Sequence, residues 1–151
     1  MKVAVLMGSA NDRAKMAPAL QTLAEFGLEA TEHVVSAHRT PDAVTALARG
    51  ARDAGYGALI CGAGMAAALP GVVAAHTTLP VVGVPLSGSA LDGVDALYAI
   101  VQMPPGVPVA TVAVDGAINA ALLVVEMLAI TDGGLAERLA TYRARWTTGS
   151  T

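Results

Sequence analysis

Short apolar runs alternate along this chain with longer segments in which apolar positions recur every three or four residues. The runs lie near residues 2–7, 29–35, 58–61, 81–84 and 109–114, and each is followed by a loop and a helical pattern. That alternation predicts a parallel α/β sheet with helices as crossovers. The first helix is expected over about residues 12–26, with Met16, Leu20 and Leu23 at helical spacing and Gly27 as its stop; Pro18 implies a kink or a later start. The second runs from Pro41 to Ala54 and is ended by Gly55. A third follows Pro70, a fourth covers about 91–101, and a fifth runs from Asn119 to Ile130. The fifth is apolar nearly all round and is therefore expected to be buried. A last amphipathic helix, about 134–146, carries much of the basic charge, and residues 147–151 are expected to fray.

Composition sharpens this picture. The chain has 151 residues with no repeat and no shift of composition along it, so one domain is expected over 1–151, with its core in about 2–130. Apolar residues make up 54% and charged residues 14%, against roughly 45–50% and about 25% in ordinary soluble domains. Residues 54–91 contain no Asp, Glu, Lys or Arg, yet glycines and prolines break that stretch too often for a membrane-spanning helix. The surplus of apolar surface points to contacts between subunits, hence a homo-oligomer.

The apolar stretch Val3 to Met7 is too short for a signal segment, and no cleavage site follows it. The single cysteine, Cys61, cannot form an internal disulfide and fits a reducing cytoplasm. Metal-ligand spacing is absent, so no metal is expected. A formal charge of −3, with basic residues gathered only in the last helix, argues against a nucleic-acid partner. A small anionic ligand fits better.

In parallel sheets ligands sit beyond the carboxyl ends of the strands. The loops to read are therefore Gly8-Ser9 to Asp12, Ser36 to Arg39, Gly62 to Leu69 and Pro85 to Asp92. Gly8 and Ser9 let backbone N–H groups and a hydroxyl approach an anion, while Asp12 suits ribose hydroxyls; simple capping by Ser9 or Asn11 is the plainer reading. Gly62-Ala63-Gly64-Met65-Ala66-Ala67 fits a dinucleotide fingerprint in form, but no acid follows until Asp92. Those glycines mark either close approach of a ligand or another chain, or tight packing. Met65 reads as packing, and Asp92 and Asp95 as helix entry.

Ser36-Ala37-His38-Arg39-Thr40-Pro41 is the most informative segment. It places an imidazole that titrates near neutrality beside a forked guanidinium suited to phosphate or carboxylate. Thr40 reads as an N-cap, Pro41 as the first helical residue and Asp42 as a favourable first-turn acid. His33, at a strand end, and His76, near a helix end, read as structural or surface residues. His38 reads as functional.

MGS at 7–9 with Asp12, SAHRTPD at 36–42, GAG at 62–64, LPG at 69–71, GVP at 83–85, GVD at 93–95, IVQMP at 100–104 and NAALL at 119–123 stand in one fixed order. Together they resemble the class I PurE family over about residues 2–130. The implied fold is a three-layer α/β/α sandwich on a flavodoxin-like parallel sheet of about five strands, with C-terminal helices. The implied activity belongs to purine biosynthesis: carbon dioxide moves from the exocyclic nitrogen of N5-carboxyaminoimidazole ribonucleotide to carbon 4 of the ring, without metal, cofactor or ATP. Carried over residue by residue, the resemblance implies His38 as proton carrier. It implies Gly8, Ser9, Asp12 and Arg39 at the ribose phosphate, Ser36 and Ala37 shaping the pocket, and Ala63, Gly64 and Leu69 enclosing the base. Relatives that carboxylate directly usually carry Lys where Arg39 stands. Family members are octamers with sites shared between subunits.

This chain departs from the pattern at Ala68, where the family has His before LPG. Met65 stands for a common glycine, and the segment before NAALL is shortened to Asp115-Gly116-Ala117-Ile118. Two other readings compete with the mutase. One is direct carboxylation, or decarboxylation, of a related ribonucleotide. The other is a noncatalytic flavodoxin-like ligand-binding module, either flavin-binding, which 3% aromatics disfavours, or a phosphoacceptor receiver, which would need Asp where Cys61-Gly62 ends the third strand.

Overall fold

A computed structural model describes residues 1–147. Five parallel strands stand in the order β2-β1-β3-β4-β5: β1 is Lys2–Met7, β2 Glu29–Val34, β3 Tyr56–Gly64, β4 Val81–Leu86 and β5 Ala110–Thr111. The helices are α1 (Arg13–Glu25), α2 (Pro41–Gly50), α3 (Leu69–His76), α4 (Val94–Val101), α5 (Ala117–Ala129) and α6 (Gly133–Thr147). The order explains the layering. Right-handed crossovers put α1, which moves the chain from β1 out to β2, on one face, and put α2, α3 and α4, which move it the other way, on the opposite face. α5 returns to the first.

Strand alternation supplies each layer with its own core. Val3, Val5 and Met7 join Ile60, Val82 and Val84 beneath α1 and α5, with Leu135 of α6 beside them. Ala4 and Leu6 join Leu59, Cys61, Val44, Val73 and Ile100 beneath α2, α3 and α4. The expected three-layer α/β/α architecture is present. The tail expected to fray reaches beyond the described residues, except for Thr147, which closes α6.

Several boundaries differ from the sequence reading, each for a local reason. α1 follows a 3₁₀ turn at Ala10–Asp12 and runs through Pro18, whose carbonyl accepts a bond from the Thr22 hydroxyl at 2.8 Å. α2 stops at Gly50, four residues early, and turns carry the chain to Gly55 at φ +84°. β3 runs on through Gly62, Ala63 and Gly64, which pair with Val84, Pro85 and Leu86, so those residues belong to the sheet and not to a loop. α4 starts at Val94, because Asp92 (φ +48°) and Gly93 (φ +89°) are left-handed and cannot be helical.

β5 shrinks to two residues, since a turn from Ala113 to Gly116 with Asp115 at φ +56° bends the chain away from the sheet. α5 is not buried all round. Ala120, Ala121, Val124 and Val125 face the core, whereas Ile118 is exposed. Among the described residues no helix is long and apolar enough to cross a membrane.

Candidate active site

The loops after β1, β2, β3 and β4 meet in a cleft of about 600 Å³. It lies over β1 and β3, where the chain's crossovers diverge to opposite sides, with the β2 and β4 loops as flanks. Gly8, Ser9, Asp12, Ser36, Ala37, His38, Arg39, Ala63, Gly64 and Leu69 all line it. The sequence-predicted residues are brought together without exception.

On the β1 side, Ser9 caps the 3₁₀ turn: its Oγ accepts the Asn11 N–H at 3.2 Å. The plain capping reading of Ser9 therefore holds alongside its place in the cleft wall. Asp12 follows, its N–H donating to the Ser9 carbonyl at 3.1 Å. Burial pushes the Asp12 carboxyl above its ordinary value, against opposing effects of the Ser9 backbone N–H and the Lys15 charge.

The β2 loop closes on itself. The Thr40 Oγ1 accepts the Ser36 N–H at 2.9 Å and donates to the Ser36 carbonyl at 3.1 Å. Thr40 holds the N-cap position of α2, yet its side chain makes no cap bond to the helix and faces back into the loop instead. The Ser36 Oγ accepts the Arg39 N–H at 3.2 Å. His38 sits exposed in this turn and makes no hydrogen bond to another described residue, which leaves its ring nitrogens to a ligand. The Arg39 Nη2 donates to the Gly8 carbonyl at 2.8 Å, so the guanidinium is oriented before any ligand arrives.

After β3 the glycine-rich segment divides by role. A Cβ on Gly62 would lie 2.4 Å from the Met16 Sδ, so that glycine answers to α1 packing. Gly64 has only ordinary neighbours and borders the cleft. Met65 (φ +53°) and Ala67 (φ +38°) follow in left-handed backbone, each a conformation that costs on the order of 1–3 kcal/mol for a non-glycine residue. Ala68 lines the cleft at the N-cap position of α3.

Residue-level sequence reading missed the fourth wall, Ser87 to Ser89, although its loop had been singled out. The Gly88 N–H donates to Asp92 Oδ1 at 3.3 Å, and the Ser89 hydroxyl to both Asp95 oxygens at 3.2 Å, which gives the two aspartates the structural roles expected of them. His33 lies away from the cleft, bonded to Thr31 and Tyr56, and His76 ends α3 beside Arg49 and Arg52. Burial pushes the Cys61 thiol far up, leaving it protonated and inert. Among the described residues no three His, Cys, Asp or Glu side chains gather as a metal site.

A family profile described as AIR carboxylase matches residues 2–148. An N5-carboxyaminoimidazole ribonucleotide mutase from Mycobacterium tuberculosis is 53% identical over 144 residues, covering 95% of this chain and 83% of the relative. One of the same name from Pyrococcus abyssi is 50% identical over 142 residues, covering 94% and 82%. The crystal structure of Treponema denticola PurE superposes with a TM-score of 0.89 at 26% identity, covering 97% of this chain and 92% of that one.

Proposed function

The chain belongs to the AIR carboxylase family, known also as PurE, and we infer from that membership and from its cleft that it performs the mutase step of purine biosynthesis. N5-carboxyaminoimidazole ribonucleotide is converted to 4-carboxy-5-aminoimidazole ribonucleotide. One observation carries the reading to this chain's own residues: an unpartnered imidazole and a pre-oriented guanidinium share a cleft at the switch point of the sheet.

Each residue then takes a role. The phosphate is held by Arg39 and Ser9 with the backbone at Gly8, and Asp12 engages the ribose. Ser36 and Ala37 shape the floor. In the first half-reaction the bond from the exocyclic nitrogen to the carboxyl carbon breaks, carbon dioxide is released and His38 gives the nitrogen a proton. In the second, carbon 4 bonds to the carbon dioxide and His38 takes the proton that carbon 4 loses. One imidazole closes the cycle unchanged. Ala63, Gly64 and Leu69 enclose the base and the gas, keeping bulk water from both.

The whole chain acts as one catalytic domain, assembled as a homo-octamer in the cytoplasm. Leu91 and Tyr98 at α4 and Ile118 and Ile130 at α5, all between 48% and 83% exposed, leave apolar side chains uncovered in both helical layers, and such assembly would cover them. Sedimentation velocity checks it; a monomer at working concentration would remove the octamer.

The mutase itself is tested by turnover of the carbamate ribonucleotide without ATP, for the wild type and for His38→Asn. A loss of about 10²–10⁴-fold is expected, with unfolding unchanged because the side chain is exposed and bonds nothing. Equal rates would exclude His38 as proton carrier. Labelled bicarbonate separates direct carboxylation: a mutase retains most of its substrate's own carbon dioxide, whereas a carboxylase must incorporate label.

A further inference from the structure

We propose that Lys15 is a positioning residue for this reaction, its ammonium strapping the Ser87–Ser89 wall to the cleft so that released carbon dioxide stays beside carbon 4. The inference rests on the mutase reading above and extends it to a residue outside the cleft lining.

Lys15 stands in the first turn of α1, directly after the β1 loop. Its Nζ donates to the Ser87 carbonyl at 2.8 Å and to the Ser87 Oγ at 2.6 Å, and lies 3.7 Å from Asp115 Oδ1. Asp115 in turn accepts the Ser87 N–H at 3.0 Å and the Ser87 hydroxyl. Every polar group of Ser87 is thus engaged by a charged partner, and such bonds are about twice as strong as neutral ones. β3 separates β1 from β4 in the sheet, so the strap reaches across the end of β3 and ties the segments after β1, β4 and β5 into one unit.

Within the wall, Gly88 and Ser89 are held to Asp92 and Asp95 at the start of α4, and Ser87 is the one of the three held by groups from α1 and the turn after β5. Burial would raise the Asp115 carboxyl, but the two bonds from Ser87 and the nearby Lys15 charge outweigh it and hold the group below its ordinary value. It is ionised when the enzyme works. Ser87, Gly88 and Ser89 face the flank opposite His38 and Arg39, so loosening them opens the cleft on the side away from the held phosphate.

A merely structural lysine would change how much enzyme is active. A positioning lysine changes where the carbon dioxide goes. The assay therefore follows the carbamate ribonucleotide and separates two products by chromatography, corrected for the enzyme-free reaction: the carbon-4 carboxylate, and aminoimidazole ribonucleotide left when the gas escapes. For Lys15→Met, escape relative to carboxylation should rise about tenfold with KM little changed, and Lys15→Arg should restore the wild-type ratio. Asp115→Asn, which keeps the side-chain shape, should shift the ratio in the same direction and serves if Lys15→Met does not fold. An unchanged ratio in the folded variants overturns the strap while leaving the mutase standing. A wild type that turns over no carbamate overturns both.

Discussion

The Arg39 guanidinium donates to the Gly8 carbonyl across 2.8 Å, joining the loops that follow β1 and β2. The bond orients the fork before a ligand binds, so less freedom is lost on binding a phosphate. Replacing Arg39 by Met should raise KM for the ribonucleotide by about 10–100-fold, matching the roughly 1.5–3 kcal/mol of a hydrogen bond to a charged group. Arg39→Lys should fall between, because an ammonium keeps the charge and loses the fork. Steady-state kinetics decide it, and an unaltered KM would take the phosphate away from Arg39.

Ala68 lines the cleft from the first position before α3, where a longer polar side chain would add a hydrogen-bonding group to the cleft wall. The Ala68→His variant should bind the ribonucleotide as the wild type does and turn it over about 2- to 10-fold faster, the gain expected of one net hydrogen bond. No gain would mean that Ala68 is neutral or compensated elsewhere.

What the sequence discloses depends on how local the cause is. The residue types of Ser36 to Arg39 mark a loop at the ligand edge, but not the bonds that close it: Thr40 reads as an N-cap, and its hydroxyl instead turns back to Ser36. The alternation of Val3, Ala4, Val5 and Leu6 between two cores follows from strand geometry alone. The Lys15–Ser87 contact spans 72 positions, and nothing in the spacing of a lysine and a serine announces it. Backbone strain was equally silent: Asp92 and Asp115 adopt left-handed conformations that shorten α4 and β5, although their residue type is compatible with regular structure. The exposed face of α5 escaped because an all-apolar helix reads as buried whether its partner is the same chain or another copy.

The His33 ring lies within hydrogen-bonding reach of Thr31 Oγ1 at 3.1 Å and Tyr56 Oη at 3.2 Å, and burial lowers its pKa from the ordinary 6.5. Between 6.5 and the lower native value the unfolded chain binds a proton that the native state refuses. Stability from this group is therefore complete above 6.5 and declines as pH falls through that range. Urea unfolding at about pH 7.5 and about pH 5.5 should show a larger loss for the wild type than for His33→Gln. Identical losses would show that the ring is free to protonate in the folded state.

Gly83 and Gly50 should respond to the same substitution with opposite sign. A Cβ on Gly83, in the middle of β4, would lie 2.5 Å from Ile100 Cγ2 and 3.0 Å from Val109 Cγ1, both on branched side chains with little room to turn. Gly83→Ala should destabilise by about 1–3 kcal/mol, the usual consequence of forcing an extra carbon into a packed core. Gly50, the last residue of α2, has nothing within 4 Å of the added carbon and no left-handed backbone. There the restriction of the unfolded chain dominates, and Gly50→Ala should stabilise by about 0.4–1 kcal/mol. For a chain of this size 1 kcal/mol moves the melting temperature by about 2–4 °C, so calorimetry resolves both. A Gly83→Ala protein as stable as the wild type would mean that α4 can move outward without cost, and that the β4 wall of the cleft is not fixed by packing from below.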